Sequence, residues 1–381
     1  MINQNNINTA LAAADASVML ESAEQLDAAI VEWQNCDVIG IDTEFVRERT
    51  YRADLGLVQF SDGQRVWLLD PLKTGPLNSL AAFFEDSKIT KILHAPSEDL
   101  DVLLYTTTTC PQPLFDTQIA CAMLGESLQM GYHKTVEWLL DITIDKGETR
   151  SNWLKRPLRT AQLHYAALDV CLLPMMHHEL HKRLLNLDRL HWLEEDCARL
   201  ISKARVPIDP TQIWRRINGN QRMQPEALAI LQKLAEWREH QANRRNLARG
   251  FVIKDIALMS IANAQPGNMS ELAELNILHP RVLERNGRNL LSMIEEVQQS
   301  DAPVCLPDTL NSRQRKMLDG MRKVVQQKAA ELSVEPALLA SKRELENLIF
   351  SASNDSLPER FLGWRKDIIT NDLLAIMRHS A

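Results

Sequence analysis

Strand-forming sequence ends part-way along this chain, at Val206-Pro207-Ile208-Asp209-Pro210. Before that point, short β-branched runs alternate with helical stretches. Beyond it only helical stretches follow. Two prolines so close together interrupt a helix and bias their neighbours to extended backbone. A chain of this kind needs two architectures, one mixed and one all-helical, and 381 residues suffice for two or three domains with cores of their own. Residues 1–16 are rich in Asn, Gln and Ala and read as a flexible tail. They contain no basic segment leading into an apolar run, so no secretory leader is expected. No stretch approaches ~18 consecutive apolar residues, which argues against a membrane span. Six cysteines without a C-x-x-C pair point to reduced thiols and a cytoplasmic setting.

Val38-Ile39-Gly40-Ile41-Asp42-Thr43-Glu44-Phe45 reads as an apolar strand that ends in carboxylates. Leu55–Phe60 and Val66–Leu69 read as two more strands, joined across the turn signal Asp62-Gly63. Lys91-Ile92-Leu93-His94 reads as a fourth. Helices are expected near Glu98–Tyr105, Thr117–Leu124, His133–Leu140 and Thr160–Leu185. The fold class over residues 17–205 is therefore α/β, a mixed sheet flanked by helices. In the helical part, Pro225–Asn243 carries Leu228, Leu231, Leu234 and Trp237 near one face. Ala302-Pro303 to Pro307 forms a second boundary, between helical domains at 221–302 and 303–381. In the last of these, Ser312–Leu332, Pro336–Leu348 and Leu362–Met377 read as helices.

Three elements concentrate carboxylates. Asp42 and Glu44 stand at i and i+2 of a strand and so share a face, where two carboxylates can converge on one hard cation. Acidic residues also follow strands simply because the chain is reaching solvent. In His94-Ala95-Pro96-Ser97-Glu98-Asp99-Leu100-Asp101 a strand gives way to a turn and a helix, with Ser97 as the expected N-cap. Helix N-termini favour acidic residues through the macrodipole, so spacing alone does not choose among Glu98, Asp99 and Asp101. Tyr165 and Asp169 stand at i and i+4 of a helix, one above the other. A solvated Tyr–Asp pair has the same spacing. Taken together, four acidic groups from a strand, a turn-helix and a distal helix can hold two cations ~3.5–4 Å apart, the arrangement that activates a water and steadies the leaving oxygen of a phosphodiester. Tyr165 would orient the water, since an unperturbed phenol titrates near ~10.

Charge is divided unevenly. Residues 1–202 carry 17 Lys+Arg against 29 Asp+Glu, hence −12, and residues 203–381 carry 26 against 21, hence +5. Carboxylates gathered for cations make one part acidic, and a phosphate-contacting surface makes the other basic. Ordinary scatter of solvated charge would also allow this split.

Ile41-Asp42-Thr43-Glu44-Phe45, His94-Ala95-Pro96-Ser97-Glu98-Asp99 and Tyr165-Ala166-Ala167-Leu168-Asp169 resemble, in order, the three exonuclease motifs of the DEDD superfamily, in the subgroup with a Tyr before the last Asp. Asp42 through Arg47, Leu55-Gly56-Leu57-Val58-Gln59, Arg150-Ser151-Asn152-Trp153-Leu154 and Arg156-Pro157-Leu158 resemble bacterial ribonuclease D in particular. Leu228–Trp237-Arg238, Asn243–Arg249 and Pro266 to Gly287-Arg288 are similar to a helicase-and-RNase-D C-terminal (HRDC) domain. One departure is the lack of a proline in Asn243–Gly250. The resemblance implies a ribonuclease-H-like exonuclease domain followed by two small all-α HRDC-type domains, the second diverged. It implies two Mg²⁺ or Mn²⁺ ions held by Asp42, Glu44, Asp99 and Asp169, with Asp99 chosen over its acidic neighbours and Tyr165 orienting water. It implies 3′→5′ exoribonuclease action that releases nucleoside 5′-monophosphates from RNA, notably transfer-RNA precursors with single-stranded 3′ extensions, by a monomeric protein. Thr43, Phe45, His94, Arg244, Arg245 and Arg249 are the candidate nucleic-acid contacts.

Two alternatives stand beside this reading. A 3′→5′ DNA exonuclease uses the same carboxylates, and nothing in the motifs themselves reads a 2′-hydroxyl. A non-catalytic RNA-binding scaffold would be favoured by a missing carboxylate, but all four are present. The basic residues Arg244, Arg245, Arg249 and Lys254 also fit a simple solvated face.

Overall fold

The computed structural model describes residues 4–145, 147–148, 151–300, 304–351 and 357–379. The chain forms two compact units. One comprises residues up to Val46, Leu55–Val206 and the chain from Leu310 on, and the other comprises Arg47–Asp54 and Pro207–Thr309.

The first unit is built on six strands, β1 (Val18–Leu20), β2 (Val38–Val46), β3 (Asp54–Ser61), β4 (Val66–Leu69), β5 (Thr90–Leu93) and β6 (Leu114–Asp116), in the order β1-β4-β3-β2-β5-β6. β4 pairs antiparallel with β3, and β2–β5, β5–β6 and β1–β4 pair parallel, so the sheet is mixed as the alternation of elements requires. The β3–β4 turn forms where Asp62-Gly63 foretold it. Asp62 Oδ1 accepts from the backbone nitrogens of Gln64 and Arg65 at 2.8 and 2.7 Å, and Gly63 takes φ +85°. Trp33 stacks on Phe60 at 4.3 Å in the core beneath this hairpin. β1 and β6 were not foreseen. Each has three residues, too few for a period-2 pattern to emerge.

Helices α1 (Gln4–Asp15), α2 (Ala23–Trp33), α3 (Pro71–Thr74), α4 (Ser79–Glu85), α5 (Ser97–Thr107), α6 (Thr117–Met123), α7 (Tyr132–Leu140), α8 (Thr160–Cys171), α9 (Leu173–Asn186) and α10 (Leu190–Arg205) flank the sheet. The expected flexible tail is corrected here. Ile7, Ala10, Ala13 and Ala14 form a buried stripe at helical spacing, and α1 packs it against α8. Alanine permits that close approach and favours helix, which outweighs the polar composition. The single helix expected over 160–185 is two, broken at Leu172 ahead of Pro174, which cannot continue the ladder. The break sits over Gly40 of β2, where a Cβ would come within 2.9 Å of Leu173 Cβ and 3.1 Å of the Val170 carbonyl oxygen. Gly40 thus lets α8 and α9 lie directly on the strand that carries Asp42.

The second unit holds α11 (Pro225–Arg245), α12 (Arg249–Val252), α13 (Asp255–Ala264), α14 (Met269–Glu274) and α15 (Pro280–Gln298). Leu228, Leu231 and Leu234 are fully buried, with Ile213 and Trp214 from the segment before α11 in the same core. Beyond it come α16 (Ser312–Leu332), α17 (Pro336–Leu339), α18 (Lys342–Ser351) and α19 (Asn371–His379). α16, α17 and α18 begin and end 87 residues after α11, α12 and α13 at every boundary. The helix ends agree in detail. Asn246 and Ser333 are both left-handed, and the next residues, Leu247 and Val334, donate back to Ala242 and Ala329, each at 2.9 Å.

Two expected boundaries need correction. Residues 17–205 are not one continuous domain, because Arg47–Asp54 folds with the second unit. Tyr51 Oη donates to Glu239, Arg52 donates to Asn243 and Asn246, and the Ala248 nitrogen donates to the Arg49 carbonyl at 2.8 Å. Nor do residues 303–381 stand apart, because from Leu310 the chain packs into the first unit. Arg365, fully buried, donates to both oxygens of Asp196 in α10 at 2.6 and 2.8 Å, and Trp364 stacks on Trp192 at 4.4 Å.

Candidate active site

The three acidic motifs come together at β2, α5 and α8. Asp42 and Glu44 share the face of β2 on which Gly40 admits α8 and α9. Asp99 lies in the first turn of α5 and is 9 % exposed. Ser97 does not cap that helix as expected. It lies inside the first turn, and Pro96 occupies the capping position. The turn is held instead by Asp116, which sequence reasoning missed. Its buried carboxylate accepts from the backbone of Ala95, Gln118 and Ile119 at 3.1, 2.8 and 3.4 Å, fixing Ala95 at φ +56°. Asp116 followed by Thr117 at a helix start was the available signal.

The carboxylates act on one another. Burial, then Asp99, Asp169 and Glu44, raise Asp42 well above the usual carboxylate range. Burial, then Asp169 and Asp99, raise Glu44 to about 8. Burial raises Asp99 and Asp169 to about 6 each. Like charges gathered this closely are tolerated when cations accompany them. Among the described residues no three His, Cys, Asp or Glu side chains stand as a ready ligand set. Mg²⁺ is commonly held by only one or two carboxylates, with waters and substrate phosphates completing its shell, so this donor set fits such an ion.

Tyr165 is 9 % exposed, and its phenol donates to Asp169. Burial first, then Asp169 and Glu44, raise its pKa, so it remains a hydroxyl donor at neutral pH. Trp153 lies 6.2 Å from its ring and packs so tightly on Gly56 that a Cβ there would be 2.8 Å away. Arg156 forks onto buried Asp70 at 2.6 and 2.8 Å and donates to the Gly56 and Trp153 carbonyls at 2.6 and 2.7 Å. The Trp153–Arg156 stretch is thus a brace under Tyr165. Arg150 lies outside the described residues.

The candidate nucleic-acid contacts divide. Thr43 is 6 % exposed and its hydroxyl donates to Asp99, so it serves the carboxylate rather than a ligand. His94 has both ring nitrogens engaged, with Thr117 at 2.8 Å and the Met130 carbonyl at 3.0 Å, and burial lowers its pKa to about 4. Phe45 is half-buried at the end of β2. In the second unit, Arg249 is held by Glu239 through two bonds of 2.6 Å and lies over the Tyr51 ring. Arg244 is exposed and bonds to Gln241, and Arg245 feels Arg285 and Arg244. Two further residues went unforeseen. Tyr132 donates to the Leu168 carbonyl at 2.9 Å, one residue before Asp169. The Tyr165 hydrogen bond and, after it, the neighbouring His133 draw the Asp169 pKa down against the effect of burial. Neither carries a motif of its own.

Comparison with known proteins agrees with this geometry. Residues 17–185 match the family described as 3′-5′ exonuclease, and residues 227–294 match the HRDC domain. Ribonuclease D of Pseudomonas paraeruginosa is 39% identical over 349 residues, 90% of this chain and 93% of the relative. The chain belongs to the ribonuclease D family. Ribonuclease D of Escherichia coli is 34% identical over 88% of this chain and 91% of its own. The crystal structure of E. coli RNase D, described as an exoribonuclease involved in structured RNA processing, superposes with a TM-score of 0.87 at 32% identity, covering 95% of this chain and 99% of that one. As a member of the ribonuclease D family the chain is a 3′→5′ exoribonuclease, a hydrolase with an exonuclease domain of mixed sheet and helices and a helical HRDC domain. No described helix is long and apolar enough to cross a membrane.

Proposed function

We propose that this exoribonuclease trims single-stranded 3′ extensions from structured RNA, transfer-RNA precursors among them, and releases nucleoside 5′-monophosphates. Asp42, Glu44, Asp99 and Asp169 hold two Mg²⁺ or Mn²⁺ ions. When bound, such a pair acidifies a water and neutralises charge on the leaving oxygen. The protein's own part is placement. Thr43 fixes Asp99, Tyr132 fixes the backbone ahead of Asp169, and the Tyr165 hydroxyl, kept protonated, aligns the attacking water by hydrogen bonding. The observation that supports the reading is the gathering of four partly or fully buried carboxylates, in which Asp99 and Asp169 raise both Asp42 and Glu44, an arrangement that cations in their midst would relieve.

The exact 87-residue correspondence supports reading the chain from Ser312 as a second, diverged HRDC copy. Action as a monomer and a cytoplasmic location complete the proposal. The test is turnover of a 3′-extended transfer RNA with Mg²⁺, in chelator, and for Asp42→Asn and Asp169→Asn. Loss of activity by orders of magnitude with RNA binding retained is expected. Full activity in chelator or in both variants refutes it, as does release of 3′-phosphates.

A further inference from the structure

Tyr165 is flanked by chain from outside the three acidic motifs. One neighbour is the Trp153 brace. The other is Gly147, where a Cβ would lie 3.5 Å from Tyr165 Cδ2, so the bare backbone rests against the phenol ring. Gly147 is exposed, and Asp145, Gly147 and Glu148 belong to no helix or strand. Without a ladder of its own, backbone of this kind is held by side chains that reach it from elsewhere.

Two side chains do so. Half-buried His133, in the first turn of α7, bonds to the Asp145 carbonyl at 2.9 Å through Nε2. A carbonyl only accepts, so Nε2 carries the hydrogen. On the other side of Gly147, the Glu148 carboxylate accepts from Ser151 and from Arg159, the residue just before α8. Arg159 is exposed, and an ion pair of that kind contributes little. His133 has the firmer footing. Its ring lies edge-on to Tyr132 at 5.9 Å, and Tyr132 ties the start of α7 to the Leu168 carbonyl in α8.

We propose that His133 is a positioning residue for hydrolysis. By holding the Asp145 carbonyl it keeps Gly147 against Tyr165, and so keeps the phenol hydroxyl on Asp169. The proposal rests on the reading that Tyr165 aligns the attacking water, and it adds a residue that fixes the ring from outside the acidic motifs. His133 also lies near enough to Asp169 to lower its pKa, so a direct effect on that carboxylate is the rival outcome.

The test is a mutant cycle of His133→Ala with Tyr165→Phe in the full chain, assayed on a short RNA with Mg²⁺. Alanine favours helix, so α7 should survive the substitution. His133→Ala should lower kcat about tenfold with KM unchanged, within the roughly hundredfold that a displacement of ~1 Å can cost. In the Tyr165→Phe background it should change kcat by less than about twofold, because two residues that act through one hydroxyl are not additive. His133→Gln, whose amide can donate to the same carbonyl, should restore most of the rate. The Mg²⁺ concentration for half-maximal activity should stay at the wild-type value in His133→Ala. In chelator, hydrogen exchange of the peptide from Ile144 to Trp153 should quicken in His133→Ala and slow again in His133→Gln. Additive losses in the double variant, or a raised Mg²⁺ requirement, would overturn the proposal by moving the effect away from Tyr165. Unchanged exchange would overturn it by showing that the bond holds nothing in place. A loss in Tyr165→Phe with wild-type rates in His133→Ala would overturn the proposal and leave the water-aligning reading standing. Wild-type activity in Tyr165→Phe would instead sink that reading, and the proposal with it.

Discussion

The Thr43 hydroxyl donates a hydrogen bond to the Asp99 carboxylate, tying the central strand β2 to the first turn of α5. Groups that orient a metal-binding carboxylate commonly matter ten- to a hundredfold. Thr43→Val should therefore lower kcat on a short RNA by ~10–100-fold, and Thr43→Ser should restore most of it. Single-turnover rates at saturating Mg²⁺ decide this. Equal rates for Val and Ser would mean that Asp99 needs no such support.

Tyr165 is a donor whose proton burial and Asp169 hold in place. Tyr165→Phe should reduce kcat ~100-fold and leave the shape of the pH–rate profile unchanged, since no phenolate takes part. Loss of an alkaline limb in the variant would assign the phenol a titrating role instead.

The raised carboxylates also set how stability depends on pH without metal. Their folded pKa values, about 6 for Asp99 and Asp169 and about 8 for Glu44, exceed the ordinary range near ~4. Between those limits the folded chain binds more protons than the unfolded one, so stability falls as pH rises through the window. In chelator, thermal melting should be highest near pH ~5 and lower near pH ~8, with the fall reduced by Glu44→Gln and by saturating Mg²⁺. A melting temperature that rises over that interval in chelator contradicts the assignment.

Asp196 is 2 % exposed and takes both branches of the fully buried Arg365, with Arg199 at 3.1 Å and Arg360 at 3.5 Å. Asp196→Ala strands buried guanidinium charge and should cost about 3–5 kcal/mol in urea unfolding, as breaking a buried ion pair does. A fragment ending near Lys203 removes Arg365 and Trp364 together and should show no cooperative melt. A sharp transition in that fragment would mean that the last helices add little to the first unit.

The acidic strand β2 and the two acidic helical motifs were legible as elements because each carries its periodicity and its carboxylates in a short run. The mixed sheet followed from the same runs. Asp116 was legible only as a helix cap, because its bond to the Ala95 nitrogen, which holds the turn before α5, exists only in the folded turn. The burial of α1 was hidden by polar composition, since four small or aliphatic side chains suffice for its stripe. Arg249 looked like a phosphate contact because the sequence does not reveal that Glu239, ten residues earlier in α11, would face it once the helix ends at the left-handed Asn246. The 87-residue correspondence of helix ends escaped notice because burial, not identity, is what persists between the two segments. Leu231 and Leu318, Leu234 and Met321, Ala242 and Ala329 keep their places inside while the surface around them has changed.

The Tyr51–Glu239 bond spans 188 residues of chain. During synthesis the segment Arg47–Asp54 leaves the ribosome long before α11 exists, and Asp196 likewise waits for Arg365, 169 residues on. Neither unit can finish its interior from contiguous sequence as it emerges. The pairing of Asp196 with Arg365 closes only once chain 169 residues further on has packed into the first unit.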